Sequence, residues 1–227
     1  WRLFGHSGVV GLEDAPVTEQ FSHAISPDTN YPVSAGMFKT LFRTKGPFNQ
    51  LGVHRPKQKS ADKFELPRFV DGSGMPLPDI FAQMQQRLSL FGLSKGRALV
   101  EMNHYSVRSA AAFLVKRDRG LPNRAHKSVD LAYWVERNFN TVEDRSISAM
   151  APATKSVLAD LMAIDGLNDL HKASLDWHRN RFASLIRDSD FHQLLTHILT
   201  ASGSAVLSEK LQHQLVRWYQ TANKNTS

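Results

Sequence analysis

The stretch Leu99–Leu114, LVEMNHYSVRSAAAFL, decides how the fold of this chain is interpreted. Leu99 and Val100 are apolar and would face inward on the first of two helices. The polar run Asn103-His104-Tyr105 separates them from a second apolar segment. Ser106 is a favourable N-cap residue directly before that segment. The sequence therefore predicts two helices joined by a tight turn.

This spacing resembles the helix-turn-helix pattern, in which the second helix lies in the major groove of DNA. Ser109, Ala110 and Phe113 occupy the polar, small and apolar positions of its second helix. His104 departs from the pattern, since the turn position is most often Gly. Arg108 would lie near the outer face of the second helix. The cations expected to meet phosphates beside it are Lys95, Arg97, Lys116, Arg117 and Arg119.

Apolar residues at helical spacing continue through most of the chain after Pro78 and predict a mainly α protein. The expected fold is a helical bundle-like domain with an irregular, Gly- and Pro-rich N-terminal third, containing a helix-turn-helix. The expected regions are 1–76 (irregular, with a basic arm), 77–150 (basic and helical) and 151–227 (helical scaffold), with a single domain formed by the last two regions as the alternative. The predicted helices cover Pro78–Phe91, Ser94–Met102, Ser106–Arg119, Ser128–Val135, Thr154–Ala163, Leu167–Ile186, Phe191–Leu199 and Val206–Tyr219.

The charge of the chain is unevenly distributed. Residues 39–127 contain 17 Lys or Arg and 6 Asp or Glu, a net of +11, whereas the formal charge of the whole chain is +7. The remaining residues therefore sum to −4. A basic block of this kind is typical of proteins that bind nucleic acids or other polyanions.

The first part of the basic block is a Gly- and Pro-broken arm, in which Val53–Ser60 has almost no apolar content. Its cations would neutralise phosphates, with affinity that falls as salt rises. Phe42 and Phe48 lie between them in the sequence and could stack on bases. The alternative is a solvated loop whose phenylalanines attach it to the core. The cations of the arm that we predict to bind nucleic acid are Arg43, Lys45, Arg55, Lys57 and Lys59.

The segment 166–183 offers a different function. His171 and His178 are seven residues apart, so they share one helix face. The run resembles the proximal helix of animal-type haem peroxidases, although His178-Arg179-Asn180 departs from that family's His-Asn-Arg order. The resemblance implies a haem- or metal-dependent oxidoreductase with His178 as haem ligand. The alternative is a helix histidine bonded to its own backbone.

Composition excludes some site chemistries. The chain has no cysteine, which excludes disulfides, thiolate metal sites and cysteine nucleophiles within it. The absence of cysteine fits a reducing compartment, and we expect a cytoplasmic protein. No apolar run approaches the length of a membrane span, so we expect no membrane insertion. The first residue is Trp1 rather than Met, which indicates a fragment of a longer protein.

Nucleic-acid binding is therefore the function that the sequence favours, without catalysis, resident cofactor or metal. The chain would act as a subunit or fragment of a larger nucleoprotein or mobile-element machine, in contact with DNA or RNA and with other protein subunits. The alternatives are the His178-dependent oxidoreductase and a protein-interaction module for an acidic partner.

Overall fold

The computed structural model describes residues 1–5, 11–58, 65–122 and 128–201, together with residues 209, 210, 213, 216 and 217. The chain divides into two compact units. The first contains Trp1–Arg2, Asp28–His104 and Leu207–Ser227, and the second contains Leu3–Pro27 and Tyr105–Val206.

Short strands from four distant parts of the sequence form one sheet. The strands are β1 (Arg2–Phe4), β2 (His23–Ile25), β3 (Asn103–Tyr105) and β4 (Asn140–Glu143), in the order β3-β1-β2-β4. β2 pairs antiparallel with β1 and with β4, with Ala24 opposite both Phe4 and Val142. Within the described residues the chain also forms seven α-helices. The prediction of a mainly helical bundle is therefore wrong, and the protein is a mixture of helices and a small sheet.

The helices differ widely in length. They are α1 (Val17–Gln20), α2 (Asp79–Gln83), α3 (Ala110–Arg119), α4 (Leu131–Val135), α5 (Ala151–Met162), α6 (Leu167–Leu185) and α7 (Ser189–Thr200). The predicted helices at Thr154–Ala163, Leu167–Ile186 and Phe191–Leu199 are confirmed as α5, α6 and α7, each to within three residues. The predicted helix at Val206–Tyr219 lies largely outside the described residues.

The predicted helix-turn-helix is wrong, because residues 94–102 form no helix and β3 follows them. The backbone of these residues forms hydrogen bonds with the loop around Asp71 instead of the i−4 hydrogen bonds of a helix. The amides of Leu99 and Val100 both donate to the carbonyl of Gly72 at 2.9 Å. A helix would need those two amides for its own i−4 carbonyls. Leu99 is accordingly 79% exposed rather than turned inward.

The second predicted helix of that motif begins later than expected. Ser109, not Ser106, is the N-cap of α3, and its Oγ accepts from the amide of Ala112 at 3.2 Å. Arg108 precedes the cap with φ of +53°, a left-handed conformation outside any helix. Gly120 ends α3 at φ of +76°, as its position after the last apolar residue predicts.

The core of the second unit surrounds α3. Phe113 and Leu114 are fully buried there, and the Phe113 ring lies edge-on to Trp134 of α4 with centroids 5.1 Å apart. Leu194 and Ile198 of α7 complete the same cluster. Burying four such side chains contributes about 6–12 kcal/mol before the entropy of ordering is subtracted. This core holds α3, α4 and α7 together, and α6 packs against α3.

The loop around Asp71 organises part of the first unit. The two carboxylate oxygens of Asp71 accept hydrogen bonds from the amides of Ser73, Met75 and Gly96 at 2.9–3.0 Å, and from Ser94 Oγ. A Cβ on Gly72 would lie 2.4 Å from the Val100 carbonyl oxygen, so only glycine allows the two loops to approach. These contacts hold residues 94–100 away from helical conformation.

Candidate nucleic-acid interface

The basic arm is a loop in the first unit whose two limbs are joined by hydrogen bonds. The amide of Lys57 donates to the Gln50 carbonyl at 2.9 Å, and Thr40 Oγ1 donates to the His54 carbonyl at 3.1 Å. A bend at Gly52 permits this return, since a Cβ there would lie 2.4 Å from the Arg55 carbonyl oxygen. The arm, defined here as residues 39–58, therefore has a fixed backbone path.

Arg55 anchors the arm instead of facing solvent. Its guanidinium lies 4.6 Å from the ring centroids of both Phe69 and Phe81, and Nη1 donates to the carbonyl oxygens of Phe81 and Met84 at 2.9 and 3.2 Å. The side chain is 3% exposed, and burial lowers the pKa of Arg55. α2, which supplies Phe81, ends at Gln83, well short of the predicted Phe91. The structure does not place Arg55 with the accessible cations.

Three other predicted residues of the arm are accessible. Arg43, Lys45 and Lys57 are exposed, and none of them forms an ion pair with a residue that the structure describes. The sequence has no Asp or Glu between Asp28 and Asp62. The field of these cations is therefore not neutralised by carboxylates of the same loop. Lys59 lies outside the described residues.

Aromatic and aliphatic side chains lie beside these cations. The half-buried rings of Phe42 and Phe48 meet edge-on, with centroids 5.5 Å apart. Phe48 also contacts Phe69, which connects this pair to the rings that enclose Arg55. The prediction from sequence did not include the aliphatic residues of the arm, although Leu41 and Leu51 are 92% and 81% exposed. No periodicity in the sequence marks them as accessible.

Two predicted cations of the first unit are engaged in internal contacts. Lys95 Nζ donates to Asn30 Oδ1 at 2.7 Å, and burial lowers the pKa of Lys95, with a further contribution from nearby Arg97. Arg97 Nε pairs with Glu101 Oε2 at 2.9 Å. Both side chains are half-buried. They hold the loop before β3 in place, whereas the sequence suggested that they would meet phosphates.

The predicted residues of the second unit divide in the same way. Ser106 is buried, and Lys116 Nζ donates to its carbonyl oxygen at 2.7 Å. Arg117 is half-buried, with its guanidinium 5.4 Å from the Phe191 ring centroid. Arg108 and Arg119 are exposed and have no carboxylate partner among the described residues. Only these two of the five remain accessible.

The two histidines proposed for the alternative function lie on α6. His178 Nδ1 is 2.9 Å from the Ser174 carbonyl oxygen, which is the helix hydrogen bond weighed as an alternative to haem ligation. His171 Nε2 lies 3.4 Å from Asp14 Oδ1. In the part of the chain that the structure describes, no three His, Asp or Glu side chains converge as a metal site. Haem ligation by His178 stays a prediction.

No single helix among the described residues has the length and apolar composition of a membrane span. The segments Ser146–Met162 and Leu167–Leu185 meet those criteria only as a pair, and the pair is bent by 104°.

No family model matches this chain, and no curated protein or solved structure matches it.

Proposed function

We propose that this protein binds single-stranded nucleic acid through the arm at residues 39–58. One observation carries the proposal: Arg43, Lys45 and Lys57 are exposed, have no ion-pair partner in the described part of the chain, and lie in a loop without carboxylates. Proteins that bind single strands combine such a positive surface with aromatic rings on which bases stack. Phe42 and Phe48 supply the rings. Location in the cytoplasm and membership of a larger nucleoprotein assembly stay predictions of the same proposal.

Single strands are favoured over duplex because Arg119, at the end of α3, is the one predicted cation that lies exposed on a described helix. Arg108 lies in a turn before α3, and Lys116 and Arg117 are held by internal contacts. A duplex reader needs an element that enters the major groove with several side chains free to reach base edges. The arm needs only a flexible strand that follows its cations.

The test is the anisotropy of a labelled dT oligonucleotide and a U oligonucleotide, titrated with the full chain over a range of salt. Each phosphate contact contributes about −0.7 to the slope of log K against log salt for single strands. Three cations predict a slope near −2. Arg43→Glu with Lys45→Glu should reduce affinity at least about tenfold and flatten the slope by about 1.4.

The matched control is Lys172→Glu with Arg187→Glu, which makes the same charge change at two exposed cations outside the arm. Equal loss of binding in both double variants would show that net charge alone attracts the oligonucleotide, and the proposal would fail. Absence of binding by the unaltered chain at low salt would also reject it.

The second candidate is binding of an acidic protein segment by the same arm. The exposed Leu41, Leu51 and Val53 favour it, since nucleic acid offers little aliphatic surface for them beyond the methyl group of thymine. Leu41→Ser with Leu51→Ser distinguishes the two functions. Oligonucleotide affinity should stay unchanged in that variant, whereas affinity for an acidic Leu-containing peptide should fall.

A further inference from the structure

The helices α5 and α6 carry apolar side chains that no described residue of the second unit covers. α5 has twelve residues and none of them is buried. Val157 and Leu161 lie one turn apart on one face with exposures of 58% and 45%, and Ile164 in the following turn is 55% exposed. A helix of this length is marginal in water without tertiary packing. Its apolar face is therefore available for a partner.

α6 continues the exposed apolar surface. Leu170, Ala173 and Trp177 follow the i, i+3, i+7 spacing of a single face, and Leu170 and Trp177 are 69% and 56% exposed. Leu185 is the buried residue of this helix, and α6 makes its main contacts in the unit with α3 and α5. The turn at residues 163–166, which contains Ile164, joins the two helices that carry these stripes. Large exposed apolar surfaces of this kind mark interaction sites.

The charges around this surface define its partner. Asp160, Asp165 and Asp169 are exposed, and none is paired with a residue that the structure describes. Lys155 is paired with Glu19 at 3.0 Å, Arg179 with Asp176 at 3.2 Å and Arg181 with Asp118 at 2.6 Å. Among the described residues of α5 and α6, this leaves Lys172 as the free cation. The three aspartates and Lys172, which form the rim of the surface, carry a net charge of −3 plus 1, or −2. The rim is acidic and therefore attracts a cationic partner.

We propose that this surface, comprising Val157, Leu158, Leu161, Ile164, Leu170 and Trp177, binds an amphipathic basic helix of another protein. Leucines on one face of such a helix would cover the apolar stripes, and flanking Lys or Arg would pair with the three aspartates. A second copy of the same surface would bring acidic rims together, which costs free energy. Anionic lipid meets the same repulsion. Trp177 is the expected anchor, because exposed aromatic residues dominate binding energy at interfaces.

The probe is a 14-residue helical peptide of Leu and Lys, with its leucines on one face, titrated into the full chain by calorimetry. Leu161→Ser with Leu170→Ser should weaken binding at least tenfold. The matched control is Leu41→Ser with Leu51→Ser, which removes two leucines of the arm that are even more exposed and should leave the affinity within twofold. Equal affinity of all three proteins for the peptide would overturn the proposal.

A charge reversal gives a gain of binding that a misfolded variant could not produce. Asp165→Lys with Asp169→Lys should weaken the Leu/Lys peptide at least tenfold and strengthen the corresponding Leu/Glu peptide by a similar factor. Failure to reverse the preference would refute the assignment of the acidic rim.

The other occupants of this surface are tested in parallel. Sedimentation of the unaltered chain and of Leu161→Ser with Leu170→Ser should show the same monomer. A dimer that this double variant abolishes would mean that the occupant is a second copy, and the proposal would be wrong. The unaltered chain is also mixed with vesicles of phosphatidylcholine, alone or with phosphatidylserine. Vesicle binding that the same double variant abolishes would mean that the occupant is a membrane, and the proposal would be rejected.

Discussion

The start of α3 gives the sharpest test of the fold, through two serines three residues apart. The Oγ of Ser109 accepts from the Ala112 amide at 3.2 Å and caps the helix. The Oγ of Ser106 is buried and has no hydrogen-bond partner among the residues that the structure describes. Ser109→Ala should therefore destabilise the protein, while Ser106→Ala should be neutral or stabilising.

The magnitudes follow from these contacts. Loss of an N-cap costs about 1–2 kcal/mol, towards the upper end here because Ser109 is 2% exposed. Removing a buried hydroxyl without a partner relieves a desolvation cost, with a gain of about 0–1 kcal/mol. The carbonyl of Ser106 keeps its bond from Lys116 Nζ in either variant. The two variants should then differ by about 1–3 kcal/mol.

Urea unfolding followed by circular dichroism measures the difference. With a slope of about 2 kcal/mol per molar urea, the midpoints of the two variants should lie about 0.5–1.5 M apart. A helix that began at Ser106, as the helix-turn-helix pattern predicted, would reverse the order. Finding Ser106→Ala less stable than Ser109→Ala would therefore refute the described start of α3.

Three other substitutions test separate features. Asp71→Asn should cost about 2–4 kcal/mol at pH 7, because its carboxylate accepts four hydrogen bonds. Burial by itself would raise the pKa of Asp71, but the bonds from Ser94 Oγ and three amides outweigh it and lower that pKa. The stabilisation that the Asp71 carboxylate provides is fully present above its pKa in the unfolded chain, about 3.9. It is lost as the pH falls through the lower pKa of the folded state. The urea midpoints of the variant and the unaltered chain should therefore converge in acid. Arg108→Gly should change stability by about 0 to +1 kcal/mol, since its φ of +53° suits glycine, whereas a helical position would lose about 1 kcal/mol in the same measurement. Phe113→Ala should cost about 3–5 kcal/mol by thermal or urea unfolding, because the ring is fully buried.

Local signals in the sequence predicted the long helices well. α6 and α7 end within one residue of their predicted ends, because apolar spacing and nearby polar residues determine where such helices stop. The sheet was missed since its strands have three or four residues each and their partners lie far apart in sequence. β2 pairs with β4 across more than a hundred residues, and no local pattern reports such a pairing.

The incorrect helix at Ser94–Met102 has the same physical origin. Its apolar spacing was compatible with a helix, but Asp71 and Gly72 supply hydrogen-bond partners from more than twenty residues away. Those partners satisfy the amides of Gly96, Leu99 and Val100 in an extended path. Local propensity is a weak prior beside tertiary hydrogen bonds of this kind.

The predicted site shows the same limit in its arginines and lysines. Lys57 and Arg55 lie two residues apart in one polar loop, and the sequence offers no reason to separate them. The difference arises from the rings of Phe69 and Phe81, which enclose the guanidinium of Arg55. The exposure of Lys57 follows from its local sequence, whereas the burial of Arg55 depends on a pocket formed elsewhere.

The difference between buried and accessible cations lowers the number of charges in the basic block that can bind a phosphate. Five of its predicted cations are occupied by rings, carbonyls or carboxylates of the protein itself. They are Arg55, Lys95, Arg97, Lys116 and Arg117. Were all of the net +11 of residues 39–127 to contact phosphates, the salt slope for single strands would approach about −8. The accessible cations of the arm predict about −2, and a measured slope near the larger value would mean that cations of the block outside the arm also contact the nucleic acid.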